Sequence, residues 1–143
     1  MAAFVSGGLG GGWAARVEPA RRGVCAARPR RVVPRALVVD VTSPGELTTA
    51  LENAGDSLVV VDYSTTWCGP CKVIAPKFEE FSEAYADVVF LKVMGDVGEG
   101  VDIMKEQGIR AVPAFHFWKS NERVDEFTGA RTDELEAKIK SLS

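Results

Sequence analysis

From Leu37 onward, apolar residues come in short runs separated by polar turns, and their spacing alternates between the strand and helix periods. Leu37–Val41 reads as a short strand. Ser43-Pro44-Gly45-Glu46 follows, with a serine cap, proline at the first helical position and glutamate three residues after the cap, which together start a helix. That helix runs through Leu47, Ala50 and Leu51 and stops near Asn53-Ala54-Gly55. Leu58-Val59-Val60-Val61 is the nearly continuous β-branched run of a strand covered on both faces. A second helix is predicted after Cys68, with Val73, Ile74, Phe78, Phe81 and Tyr85 on or near one face and Pro76 kinking it. Val88–Val93 reads as a buried strand and Val101–Gln107 as a short helix. Ala114–Trp118 and Arg123–Thr128 form two strands joined by Lys119-Ser120-Asn121-Glu122. A last helix begins at Thr132 with Asp133 and Glu134 in its first turn and carries Leu135, Ile139 and Leu142. The order βαβαβαββα predicts an α/β domain with a mixed sheet and helices on both faces, because parallel neighbours need helical crossovers and the final hairpin supplies an antiparallel edge.

Residues 1–36 follow different rules. They carry seven arginines and one acid, Glu18, for a net charge of +6, together with the run Gly7-Gly8-Leu9-Gly10-Gly11-Gly12 and no hydrophobic period that would build a core. Arginine-rich, acid-poor composition without an apolar central stretch is expected of an organelle transit peptide, removed or disordered; a flexible basic arm is the alternative. The glycines lack the flanking strand and helix of a dinucleotide site. Residues 37–143 hold the other ten basic and nineteen acidic groups, for a net charge of −9. About 107 residues suffice for one core without disulfide staples. Apolar runs are far shorter than the roughly 18–20 residues of a membrane-spanning helix. With three cysteines in 143 residues, the expectation is a soluble intracellular thiol protein with neither membrane nor nucleic-acid partners.

The chemistry lies in Trp67-Cys68-Gly69-Pro70-Cys71, between a buried strand and a helix. Two intervening residues let both thiols share one helical turn. Cys68 then sits at the helix N-terminus, where partial positive charge and free N–H groups favour a thiolate and lower a thiol pKa from about 8.5 towards about 7. Cys68 is therefore the expected nucleophile and Cys71, shielded within the helix, the expected resolving thiol. Pro70 fits the first turn, whose N–H groups have no internal partner to lose. A metal site is the competing use of a CxxC pair, but zinc usually takes four ligands from two such motifs. Here the only histidine is His116 and the only other cysteine is Cys25. No metal or cofactor is expected. His116, between Phe115 and Phe117, reads as an ordinary strand histidine.

The stretch from about Leu37 to Ser143 resembles the thioredoxin family through WCGPC and the spacing around it. Within that family it is most similar to chloroplast f-type members, through Trp67-Cys68-Gly69-Pro70-Cys71-Lys72-Val73-Ile74-Ala75-Pro76-Lys77 and Val88-Val89-Phe90-Leu91-Lys92. The resemblance implies a thioredoxin fold, a mixed five-stranded sheet flanked by four helices, and reduction of protein disulfides through a Cys68–Cys71 pair. It further implies ferredoxin:thioredoxin reductase as electron donor and targets such as fructose bisphosphatase. A chloroplast stroma location and a monomer are expected with it. A plastid or mitochondrial thioredoxin of another subtype, serving peroxiredoxins, is the alternative, with the mitochondrial matrix as the alternative location.

Further residues match family positions. Asp62, six residues before Cys68 on an otherwise apolar strand, is by itself either a strand-end carboxylate in solvent or a buried acid. The resemblance implies the buried acid, moving protons to and from Cys71, with Lys92 as its partner. Val112-Pro113 matches the family's cis-proline, beside which the Val112 backbone pairs with an extended target. Trp67 and Gly129 match the flat surface around the nucleophile, although a tryptophan also serves simply to cap a core. Plant f-type members carry a third cysteine where this chain has Gly95, so regulation through an extra thiol is not carried over. Lys72, Lys77, Arg110 and Lys119 are the candidates for a local basic rim on an acidic domain.

Overall fold

The computed structural model describes residues 38–143. The expected transit segment over 1–36, Cys25 within it and the proposed strand start at Leu37 lie outside the described residues. The elements are β1 (Val39–Val41), α1 (Pro44–Ala54), β2 (Val59–Ser64), α2 (Gly69–Ala84), β3 (Val89–Met94), α3 (Gly100–Glu106), β4 (Ala114–Lys119), β5 (Glu122–Thr128) and α4 (Thr132–Leu142). The strands form one sheet in the order β1-β3-β2-β4-β5. β1 and β2 run parallel to β3, whereas β4 is antiparallel to both β2 and β5. This is the predicted mixed architecture, with β2 and its apolar run in the centre.

Each end of α1 is closed as its sequence suggests. Ser43 Oγ accepts from the Glu46 N–H at 3.3 Å, Glu46 Oε2 accepts from the Thr42 N–H at 2.8 Å, and Gly55 caps the C-terminus. The N-cap serine contributes about 1 kcal/mol in such a setting. Ser120 and Asn121, both with positive φ, make the tight turn between β4 and β5.

Alternation along the strands divides the core into two layers. One layer joins Val60, Phe90, Phe115, Phe117 and Phe127 to α2 and α4, which contribute Ile74, Phe78, Phe81, Leu135 and Ile139. The other joins Val59, Val61, Tyr63, Leu91 and Val93 to α1 and α3 through Leu47, Leu51 and Ile103. Phe78 meets Phe90 edge-on at 5.1 Å and Phe115 at 5.7 Å between ring centroids. Such aromatic pairs are worth about 0.5–1.5 kcal/mol beyond their buried area. They lock α2 against the sheet and so fix where its N-terminus points.

Val73 departs from the expected buried face, being 71% exposed, whereas Cys71, Ile74, Phe78 and Phe81 are buried. The buried positions are three and four residues apart. Val73 is a 100° rotation away from Ile74 and points outward. Pro76 lies within α2 as expected and offers no N–H to the preceding turn, yet the helix runs on to Ala84.

Candidate active site

The C-terminal ends of β2 and β3, the start of β4 and the end of β5 share one edge of the sheet. Tyr63 pairs with Ala114 and Ala114 pairs with Thr128, while the Gly95 N–H donates to Ser64 O at 2.8 Å. The loops holding Cys68, Pro113, Asp96 and Gly129 therefore all open at that edge.

Cys68 is the N-cap of α2 and is joined to Cys71 by a disulfide, with Cα atoms 5.3 Å apart. The Cys71 N–H donates to Cys68 Sγ at 3.2 Å. A free helix-terminal donor is thus already aimed at the sulfur of the expected nucleophile. Both cysteines are 4% exposed in the disulfide, so the expected contrast between an accessible and a concealed thiol is absent from this state. The asymmetry lies in position, since Cys68 stands outside the helix and Cys71 inside its first turn. Around the pair, Gly69, Pro70 and Lys72 are exposed, as are Val73 and Trp67, the latter 73% open to solvent. Trp67 is thus no core cap.

Thr66 was not singled out by the sequence, nor was a role for Asp96. The Asp96 carboxylate accepts from the Thr66 N–H, with both oxygens at 3.1 Å, and also from the Thr66 hydroxyl. Those bonds hold the Asp96 carboxyl below its usual range. They tie the residue preceding Trp67 to the β3–α3 loop. A sequence shows two polar residues 30 positions apart and no sign of their meeting.

At the start of β4, the Val112–Pro113 bond is cis, Pro113 is buried and Val112 is half-buried. The Gly129 N–H donates to Pro113 O at 3.0 Å, which brings these two expected site residues together. Gly129 has φ of +125°, a conformation reserved for glycine. At Gly95, a Cβ would run into the Met104 side chain, so Met104 fills the space beside the position of the f-type third cysteine.

Asp62 lies inside β2 rather than at its end, because pairing with β3 and β4 extends the strand to Ser64. It is 1% exposed, which decides between the two readings in favour of a buried acid. Its Oδ1 accepts from Ser64 Oγ at 2.8 Å and its Oδ2 has no partner among the described residues. Burial pushes its pKa up to about 6, partly offset by the Ser64 hydrogen bond and the Lys92 charge. Lys92 is its register partner on β3. A cavity of about 140 Å³ runs between the sheet and α2, lined by Val38, Asp40, Asp62, Ala75, Phe78, Glu79 and Lys92. Ala75 and Phe78 are four and seven residues after Cys71 on the same helix face, so Asp62 packs against the side of α2 that carries Cys71.

His116 stays outside this group, on the other face of the sheet. It is buried and 4.8 Å from Tyr63 between ring centroids, edge-on. Burial lowers its pKa to about 4, so it is neutral near pH 7. The suggested basic rim is reduced by geometry. Lys77 pairs with Glu80 at 2.6 Å, and Lys119 lies at the far end of β4, donating to Leu142 O.

A hydrogen-bonded disulfide at a helix mouth, a buried acid behind it and a cis-proline loop beside it are suited to dithiol–disulfide exchange. The Thioredoxin family model matches residues 38–141. The chain belongs to the thioredoxin family. A thioredoxin from Equus caballus is 47% identical over 106 residues, covering 74% of this chain and 99% of its own. Spinach chloroplast thioredoxin f, in its short form, superposes with a TM-score of 0.69 at 43% identity, covering 73% of this chain and 92% of that one. Thioredoxin f2, solved in complex with ferredoxin:thioredoxin reductase, superposes with a TM-score of 0.68 at 44% identity, covering 73% and 93%. This thioredoxin is, like its homologues, a protein-disulfide reductase.

Proposed function

We propose that this thioredoxin is an f-type disulfide reductase of the chloroplast stroma, reduced by ferredoxin:thioredoxin reductase and acting on regulatory disulfides of enzymes such as fructose bisphosphatase. The likeness to spinach thioredoxin f and to the thioredoxin f2 of the reductase complex carries this reading. Because the horse thioredoxin, at 47% identity, is at least as similar in sequence as the f-type structures at 43% and 44%, the arginine-rich residues 1–36, read as a transit peptide, supply the second support. The protein works as a monomer.

In the exchange, the Cys68 thiolate attacks one sulfur of a target disulfide and expels the other as a thiolate, leaving a mixed disulfide. The Asp62 carboxylate, favoured by the Lys92 charge, accepts the Cys71 proton and becomes a neutral carboxyl, leaving Cys71 as a thiolate. The Cys71 thiolate then attacks Cys68 Sγ, releasing the second target sulfur. The target gains two electrons and the Cys68–Cys71 pair loses them. Trp67, Gly69, Pro70, Val112, Pro113 and Gly129 form the docking surface, with the Val112 backbone pairing to an extended target segment.

Trapping on the Cys71→Ser variant tests this assignment, because removal of the resolving thiol stops the cycle at the mixed disulfide. Incubated with chloroplast stromal protein and then released with dithiothreitol, it is expected to yield fructose bisphosphatase and related carbon-fixation enzymes. Recovery of peroxiredoxins alone would favour a thioredoxin of another subtype.

A further inference from the structure

The strand register sets three charged side chains in a row across the sheet. Asp40 on β1 pairs with Lys92 on β3, and Lys92 pairs with Asp62 on β2. In parallel strands, register partners project from the same face. All three line the cavity beneath α2, with Asp62 buried within it, Lys92 half-buried and Asp40 exposed. The register thus sets one lysine between two aspartates on the same face of the sheet. We propose that Asp40 is a positioning residue for Asp62: it shares the Lys92 ammonium across the sheet and so weakens that cation's hold on the buried carboxyl.

The proposal rests on the reading of Asp62 as the proton carrier and adds a residue for which the family resemblance gave no role. Both effects of Asp40 have the same sign. Its negative charge opposes a second negative charge on Asp62, and its attraction for Lys92 diverts the charge that favours the ionised Asp62. The other neighbours are Ser64 on β2, which donates to Asp62; Phe115 on β4, which is apolar; and, from α2, the cavity residues Ala75, Phe78 and Glu79. Glu79 is exposed and acts in the same direction as Asp40. Adjacent strands lie about 4.8 Å apart, which places the two aspartates roughly 10 Å from each other. At that distance, an effective dielectric constant between about 20 and 80 gives an influence of roughly 0.3–1 pH unit.

The test is the pH dependence of the second-order rate of disulfide reduction, measured from pH 5 to 9 on the full chain. Wild type is compared with Asp40→Asn, Asp40→Glu and Asp40→Lys, each with and without Asp62→Asn. Asp40→Asn is expected to move the inflection that belongs to Asp62 down by roughly 0.3–1 pH unit, and Asp40→Lys to move it further. Asp40→Glu should restore the wild-type position. Once Asp62 is asparagine, no Asp40 substitution should move the profile. If Asp62→Asn abolishes the inflection but Asp40→Asn leaves it in place, the role of Asp40 is overturned while that of Asp62 stands. An Asp40 shift that persists without Asp62 also overturns it. If the inflection survives Asp62→Asn, the proton-carrier reading itself has failed.

Discussion

Replacing Cys68 with serine is expected to reduce catalysed disulfide reduction to the rate of the external dithiol alone. Cys71→Ser should instead accumulate a covalent adduct with its substrate. The difference follows from where the two sulfurs sit. Cys68 caps α2 from outside, and the Cys71 N–H is already directed at its Sγ. A thiolate formed there gains a charge-assisted hydrogen bond, and it can meet a target sulfur without disturbing the helix. Cys71 lies in the first turn on the face that packs towards Asp62, so its natural electrophile is the neighbouring Cys68 sulfur. Serine at position 68 removes the only group that starts the cycle. Serine at 71 leaves the first attack intact and removes the second. A gel-shift assay with a disulfide-bonded substrate separates these outcomes, and turnover persisting in Cys68→Ser would refute the assignment.

Asp62→Asn is expected to slow exchange and yet stabilise the fold. The folded carboxyl has its pKa raised to about 6, against an ordinary value of 3.8. Between those values the native state holds a proton that the unfolded chain has released. The cost of burial is therefore absent below about pH 3.8, grows as the pH rises through 6, and is complete above it. A shift of about two units corresponds to about 3 kcal/mol, which is the stabilisation expected of Asp62→Asn at pH 7 and should vanish near pH 4. His116 works in the other direction. Its folded pKa is lowered to about 4, so stability is lost as the pH falls from 6.5 towards 4. In the wild type the two groups oppose one another across this window, and in Asp62→Asn the acid loss due to His116 stands alone. Urea denaturation of the oxidised protein at pH 4, 5.5 and 7 measures both effects. An equal gain at every pH would mean that the carboxyl is not the source.

The element order and the Cys68–Cys71 pair were legible in the sequence because they rest on local patterns: the serine cap before Pro44, the β-branched run before Asp62, and the two-residue spacing of the cysteines. What escaped it depends on pairing between distant segments. The burial of Asp62 follows from β2 continuing to Ser64, which β3 and β4 impose. Ser64 itself was a readable signal, a polar residue two positions on and so on the same face as Asp62. The tie between Thr66 and Asp96, and the row from Asp40 through Lys92 to Asp62, exist only once the strand order β1-β3-β2 is known. Lys119 falls at the end of β4 away from the site, a placement that depends on the direction of that strand in the sheet. Val73 and Ile74 read alike in an apolar pattern, although one residue of helix separates a buried face from an exposed one.

The central claim is that reduction leaves one sulfur ionised at the mouth of α2, and alkylation of the reduced protein tests it most directly. With iodoacetamide at limiting concentration, the rate measured as a function of pH should rise with a midpoint near 7, and mass mapping should find the label on Cys68. Equal labelling of Cys68 and Cys71 with a midpoint near that of free cysteine, about 8.5, would contradict it.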